Sequence, residues 1–126
     1  MSKNPRDLNV LYVDDEEPNI NVFRIAFKRR YTIFTAQSGE EALEIMKDND
    51  IHVIVADHRM PGMTGIELLS QVGDLYPKVY RIVISEYVND AIIREAMKAY
   101  DFTGSMGKPW NGDELKVMID KALVED

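Results

Sequence analysis

Asp14, Asp15, Asp57, Ser85 and Lys108 are the side chains whose types could share one reaction. Two adjacent carboxylates and a third brought near them repel one another unless a divalent cation sits among them. A ligand set made of oxygen alone favours Mg2+ over zinc. Asp57 offers a carboxylate nucleophile able to carry an acyl phosphate, Lys108 a point charge for a transferred phosphoryl group, and Ser85 a hydroxyl donor. Positioning and charge neutralisation are most of what phosphoryl transfer asks of a protein. The absence of cysteine excludes a disulfide framework and a thiolate metal site.

The elements that must position these groups follow from the apolar pattern. The run Ile51-His52-Val53-Ile54-Val55-Ala56-Asp57 is long enough for one strand buried on both faces, and it ends in a carboxylate. Such a strand must be covered by helices, and a charge at its end sits at the sheet edge where ligands bind in open α/β folds. Around it, strand-like runs alternate with stretches at helical spacing, which predicts a parallel sheet with crossover helices.

The first strand is Val10-Leu11-Tyr12-Val13, followed by Asp14, Asp15, Glu16 and Glu17. Pro18 suits the first turn of a helix carrying Ile20, Phe23 and Phe27 on one face and stopping near Arg30, where Lys28, Arg29 and Arg30 complement its dipole. Tyr31–Ala36 reads as the second strand, and Ser38 with Glu41 as a capping box for a helix with Ala42, Ile45 and Met46 inward. A loop through Met60-Pro61-Gly62-Met63 leads to a second capping box, Thr64 with Glu67, and a helix through Ile66 and Leu69. Val79–Ile84 is the fourth strand, ending at Ser85, and a helix from about Asn89 aligns Ile93, Ala96, Met97 and Tyr100. Phe102–Met106 is the fifth strand, placed at an edge because Gly104 weakens it. After Lys108-Pro109-Trp110, an Asn111 and Glu114 cap opens a final helix with Leu115, Met118, Ile119, Ala122 and Leu123 as its stripe, running to Asp126. The result is a single α/β domain of five βα units over residues 1–126, with the chemistry gathered at one edge of the sheet.

At 126 residues the chain can bury an ordinary core without staples. Its formal charge of −7 argues against direct binding of nucleic acid or an anionic membrane, which draws on clustered Lys and Arg. The amino terminus lacks the apolar core of a signal peptide, and no run approaches membrane-spanning length, so a soluble, cytoplasmic protein is expected. His58 adjoins Asp57, but neighbours on an extended segment point apart, and His52 lies within the buried run; both are expected to be structural or surface residues. Most methionines are assigned to core filling.

Taken together, Asp14-Asp15 after the first strand, Asp57-x-x-Met60-Pro61-x-x-x-Gly65 after the third, Ser85 after the fourth and Lys108-Pro109 after the fifth resemble the receiver domain of two-component response regulators. The resemblance spans essentially the whole chain. It implies a doubly wound, flavodoxin-like (βα)5 domain of strand order 2-1-3-4-5. It also implies that Asp57 accepts phosphate from the phosphohistidine of a sensor histidine kinase or phosphotransfer protein. In the family's scheme Asp14, Asp15, Asp57 and the main-chain carbonyl of Arg59 bind Mg2+, and Lys108 and Ser85 hold the phosphoryl oxygens. Re-orientation of those groups changes the surface of helix four, strand five and helix five, which signals to a downstream effector domain or protein and is compatible with a homodimer. The domain is then a phosphoacceptor rather than an enzyme with a diffusible substrate. With no effector sequence after the final helix, the expectation is a stand-alone receiver or one cut from a larger regulator.

Three features depart from the family pattern. Glu86 follows Ser85 where a small residue is common, and a charge pointing inward there would oppose an incoming phosphoryl group. Ser105 stands where the family usually carries the switch aromatic, with Tyr87, Tyr100 and Phe102 as candidate substitutes. Arg59 and Tyr87 are bulky at the two positions that govern water access, which predicts slow self-dephosphorylation. Two rival readings stand beside the switch: a receiver-like interaction module with weak or no phosphorylation, and a phosphatase of the haloacid-dehalogenase type. The second normally needs Asp-x-Asp, and Asp57-His58-Arg59 lacks the second acid.

Overall fold

Apolar runs that end in polar residues become five strands here: β1 (Asn9–Val13), β2 (Thr32–Ala36), β3 (Val53–Asp57), β4 (Tyr80–Ser85) and β5 (Gly104–Gly107). The computed structural model describes residues 4–86, 91–100 and 104–123. All strand pairs are parallel, in the order β2-β1-β3-β4-β5, as the resemblance implied. Five helices connect or flank them: α1 (Glu17–Phe27), α2 (Gly39–Asp48), α3 (Gly65–Leu75), α4 (Ala91–Tyr100) and α5 (Gly112–Asp120).

Strand side chains alternate between the two faces of the sheet, and the core divides accordingly. Val10, Tyr12, Val53, Val55, Ile82, Ile84 and Met106 pack with Ile20, Phe23 and Phe27 of α1 and Leu115 and Ile119 of α5. Leu11, Val13, Ile54, Ala56 and Val83 pack on the other face with Ala42 and Met46 of α2, Leu68, Leu69 and Val72 of α3, and Ile93 and Ala96 of α4. Strand β3 is buried along its whole length, which explains its unbroken apolar sequence.

Local chemistry moves several boundaries. Helix α1 ends at Phe27 rather than near Arg30, because the Phe27 carbonyl accepts from the N–H groups of both Arg30 and Tyr31 and closes the last turn. Arg30 then pairs with Asp120 at 2.7 Å instead of facing the helix end. Tyr31 is 1% exposed, but it belongs to that turn, so β2 begins at Thr32. Strand β3 starts at Val53 although Ile51 is buried: the His52 imidazole Nδ1 accepts from the Asn9 N–H at 2.9 Å, so a side chain takes a place in the ladder. Strand β4 begins one residue later than the sequence pattern suggested, since Val79 N–H is held by Tyr76 in a turn.

The Thr64–Glu67 capping box forms with both arms, Thr64 Oγ1 accepting at 3.2 Å and the Glu67 carboxylate at 3.0 Å. At Ser38 only the first arm forms; the Glu41 carboxylate accepts from Gln37 N–H at 2.6 Å, one residue before the cap. Strand β5 occupies the sheet edge, as expected for a glycine-containing strand. The expected strand positions Phe102 and Thr103, and the expected α4 start at Asn89, lie outside the described residues. Helix α5 gives way at Lys121 to a tight 3-10 turn, Lys121–Leu123, rather than continuing as α-helix.

Candidate functional site

The parallel arrangement brings the carboxyl ends of β1, β3, β4 and β5 to one edge. Asp14 follows β1, Asp57 and Ser85 close β3 and β4, and Lys108 follows β5. Their burial is unusual for polar groups: Asp14 is 0% exposed, Asp57 4% and Ser85 3%. One carboxylate oxygen from each of Asp14, Asp15 and Asp57 lies within 4.8 Å of the others, with Asp15 on the solvent side. Three acids at that spacing suit a hard divalent cation held by oxygen.

Lys108 Nζ lies 3.0 Å from Asp57 Oδ1, and its N–H donates to the Ser85 carbonyl at 3.1 Å. The Lys108–Pro109 peptide is cis. Ser85 is the register partner of Gly107, so the hydroxyl and the ammonium come from neighbouring strand ends. Burial pushes the Asp57 carboxyl up to about 6; the hydrogen bond from Lys108 opposes this, and the charges of Asp14 and Asp15 add to it. For Lys108 burial acts downward, but the Asp57 carboxylate, with the charges of Asp14 and Glu86, holds the ammonium above its ordinary range. The site thus carries more negative charge than one lysine offsets, a balance that a divalent cation would correct.

The loop after Asp57 folds back on its own strand. Gly65 N–H donates to His58 O at 3.0 Å, and a Cβ at Gly65 would collide with the Asp57 carbonyl, so this position requires glycine. Gly62 turns the loop at φ +75°. Met60 is buried beneath it, and Arg59 is exposed beside Asp57.

The sequence-derived set Asp14, Asp15, Asp57, Ser85 and Lys108 is therefore assembled at one edge, and the Arg59 side chain two residues beyond Asp57 is exposed. Glu86 is exposed, and its charge adds to those that hold the Lys108 ammonium up. Ser105 is half-buried on β5 and, by strand alternation, on the face opposite Met106. Tyr87 and Phe102 lie outside the described residues, as does the Tyr100 side chain. Neither histidine joins the acids: His52 serves the ladder, and His58 follows Asp57 with its N–H on the Ile84 carbonyl.

Two residues with no assigned role in the sequence belong to this neighbourhood. Tyr12 Oη donates to Asp14 Oδ2 at 3.0 Å, and Trp110 lines, with Tyr12, Asn19, Val22, Lys108 and Pro109, a cavity of about 300 Å3 next to the lysine. Tyr12 was findable: two residues apart on a strand means one face, so a tyrosine at 12 and an acid at 14 share it. Trp110 was not, because its partners Phe23 and Phe27 lie on α1.

Comparison with known proteins gives concordant findings. A family model described as the response regulator receiver domain matches residues 10–120. The hydrogenase transcriptional regulatory protein HoxA of Cupriavidus necator is 33% identical over 94% of this chain and 24% of its own length. The sensor kinase CckA of Brucella abortus is 33% identical over 90% of this chain and 12% of its own. The chain thus spans about a quarter or less of these curated relatives. Among solved structures, the Vibrio cholerae chemotaxis protein CheY4 superposes with a TM-score of 0.84 at 27% identity, covering 92% of this chain and 98% of that one.

Proposed function

Given that this chain belongs to the response regulator receiver domain family, a signalling family of two-component systems, we propose that it is a phosphorylation-driven switch whose phosphoacceptor is Asp57. The observation that carries the reading is the contact of Lys108 Nζ with Asp57 Oδ1 at 3.0 Å beside three gathered acids. A carboxylate oxygen of Asp57 attacks the phosphorus of a phosphohistidine on a sensor kinase or phosphotransfer protein. The P–N bond breaks, the imidazole leaves, and an acyl phosphate forms. Lys108 and the Ser85 hydroxyl hold phosphoryl oxygens, and Asp14, Asp15, Asp57 and the Arg59 carbonyl are the groups that would hold Mg2+, which would supply charge neutralisation for the transferring group. The domain is the whole of residues 1–126.

Output follows from differential binding: a phosphoryl group shifts the conformational balance only by preferring one state. The responsive surface is that of α4, β5 and α5, which signals to an effector domain or protein and is the candidate dimer face. No helix among the described residues is long and apolar enough to cross a membrane, and a cytoplasmic location accords with the two-component partners proposed.

Intact-mass measurement after incubation with Mg2+ and acetyl phosphate tests the reading. Addition of one phosphoryl group, absent in Asp57→Asn, is expected. No addition favours a receiver-like interaction module, and continuous turnover of phosphoesters favours a phosphatase.

A further inference from the structure

On the sheet face that carries Tyr12, the buried neighbours on β1, β3 and β4 are the aliphatic side chains Val10, Val53, Val55, Ile82 and Ile84, with Tyr80 half-buried at the start of β4. A phenol buried at 0% exposure in such a place needs a partner for its hydroxyl. Tyr12 finds it in Asp14 Oδ2 at 3.0 Å, while Asp14 Oδ1 accepts from the Glu16 N–H at 2.9 Å. One donor on each oxygen fixes the rotation of the carboxylate, and each oxygen keeps further lone-pair capacity for a cation. The donor is itself immobile. The Tyr12 ring stacks on Phe23 at 4.3 Å with planes 12° apart, and Trp110 packs edgewise on Phe23 at 5.9 Å and stacks on Phe27 at 5.7 Å.

We infer that Tyr12 is a positioning residue for the cation site, holding the Asp14 carboxylate in a preset orientation through its buried hydroxyl. The inference rests on the reading that Asp14, Asp15 and Asp57 bind Mg2+. A free carboxylate pays orientational entropy when it captures a cation, whereas one already locked by two donors presents its oxygens at no further cost. Hydrogen bonds behind a metal ligand commonly change affinity by about 10- to 100-fold when removed.

Calorimetric titration of the full chain with MgCl2 tests this, using wild type, Tyr12→Phe and Phe23→Leu, each verified as folded by thermal unfolding in EDTA. Tyr12→Phe keeps the stacked ring and removes only the hydroxyl; its dissociation constant is expected to rise about 10-fold or more. Phe23→Leu alters the packing and keeps the hydroxyl, and its affinity is expected to stay within about twofold of wild type, since the Tyr12 bond to Asp14 Oδ2 remains. Wild-type binding with an unchanged Tyr12→Phe affinity overturns the role of Tyr12 and leaves the Mg2+ reading standing. Equal losses in both variants assign the effect to packing and also overturn it. Absence of Mg2+ binding in wild type overturns both.

Discussion

Replacing Asp57 with asparagine is expected to stabilise the metal-free protein at neutral pH. Asp57 is buried among acids, and burial lifts its carboxyl from 3.8 to about 6 in spite of Lys108. A carboxylate whose folded pKa lies above its unfolded one binds its proton more tightly in the native state. Stability therefore falls as pH rises through the window from about 4 to about 6 and stays reduced above it. At 1.36 kcal/mol per pKa unit the rise corresponds to about 3 kcal/mol above pH 6, an upper figure for the cost of the ionised group. Asparagine has the shape of the neutral form and carries none of that cost, so a gain of about 1–3 kcal/mol is expected at pH 7.5. For a chain of this length about 1 kcal/mol moves the midpoint by about 4 °C. Thermal unfolding in EDTA at pH 7.5 and at pH 4 reads the difference, which should be plain at the first and absent at the second. Excess Mg2+ should narrow it by stabilising wild type more than the variant. An Asp57→Asn protein less stable than wild type at pH 7.5, or a gain unchanged at pH 4, would refute the account.

Two further substitutions probe the frame around the site. Gly65→Ala drives a Cβ into the Asp57 carbonyl, and should cost about 1–3 kcal/mol by urea unfolding while weakening Mg2+ binding, because the displaced backbone belongs to the acid itself. Asp120→Ala removes the acceptor of Arg30 at 2.7 Å and of Tyr31 Oη at 2.6 Å; a loss of about 1–2 kcal/mol is expected in the same assay, with Mg2+ affinity unchanged because the pair lies away from the acids.

Much of this was readable from residue order, and the remainder shows what order leaves out. Short runs of strand-forming residues placed the five strands, and an unbroken apolar run such as Val53–Ala56 points to a strand buried on both faces. The candidate set was legible because polar residues ended the strands, and a parallel sheet must bring such ends together. Boundaries failed where a side chain or a turn took over the role of a ladder. The His52 imidazole did so before β3, and the Phe27 carbonyl ended α1 by accepting two N–H groups. The capping pattern at Ser38 and Glu41 was present, but the glutamate reached Gln37 instead. Arg30 and Asp120 are 90 residues apart, and nothing in their local sequence says that they meet. That Glu86 is exposed and still acts on Lys108 became evident only from the structure.

The strand order also governs when the site comes into being along a growing chain. The first strand made, β1, lies inside the sheet with β2 and β3 on its flanks, so the acids after β1 and at the end of β3 can be gathered once 57 residues are available. Their cationic neighbour comes half a chain later, after β5, the last strand to be added and an outer one. Asp14 and Asp57 are thus set by the inner pair β1 and β3, whereas Lys108 reaches them only through the pairing of β5 with β4 at the outer edge of the sheet.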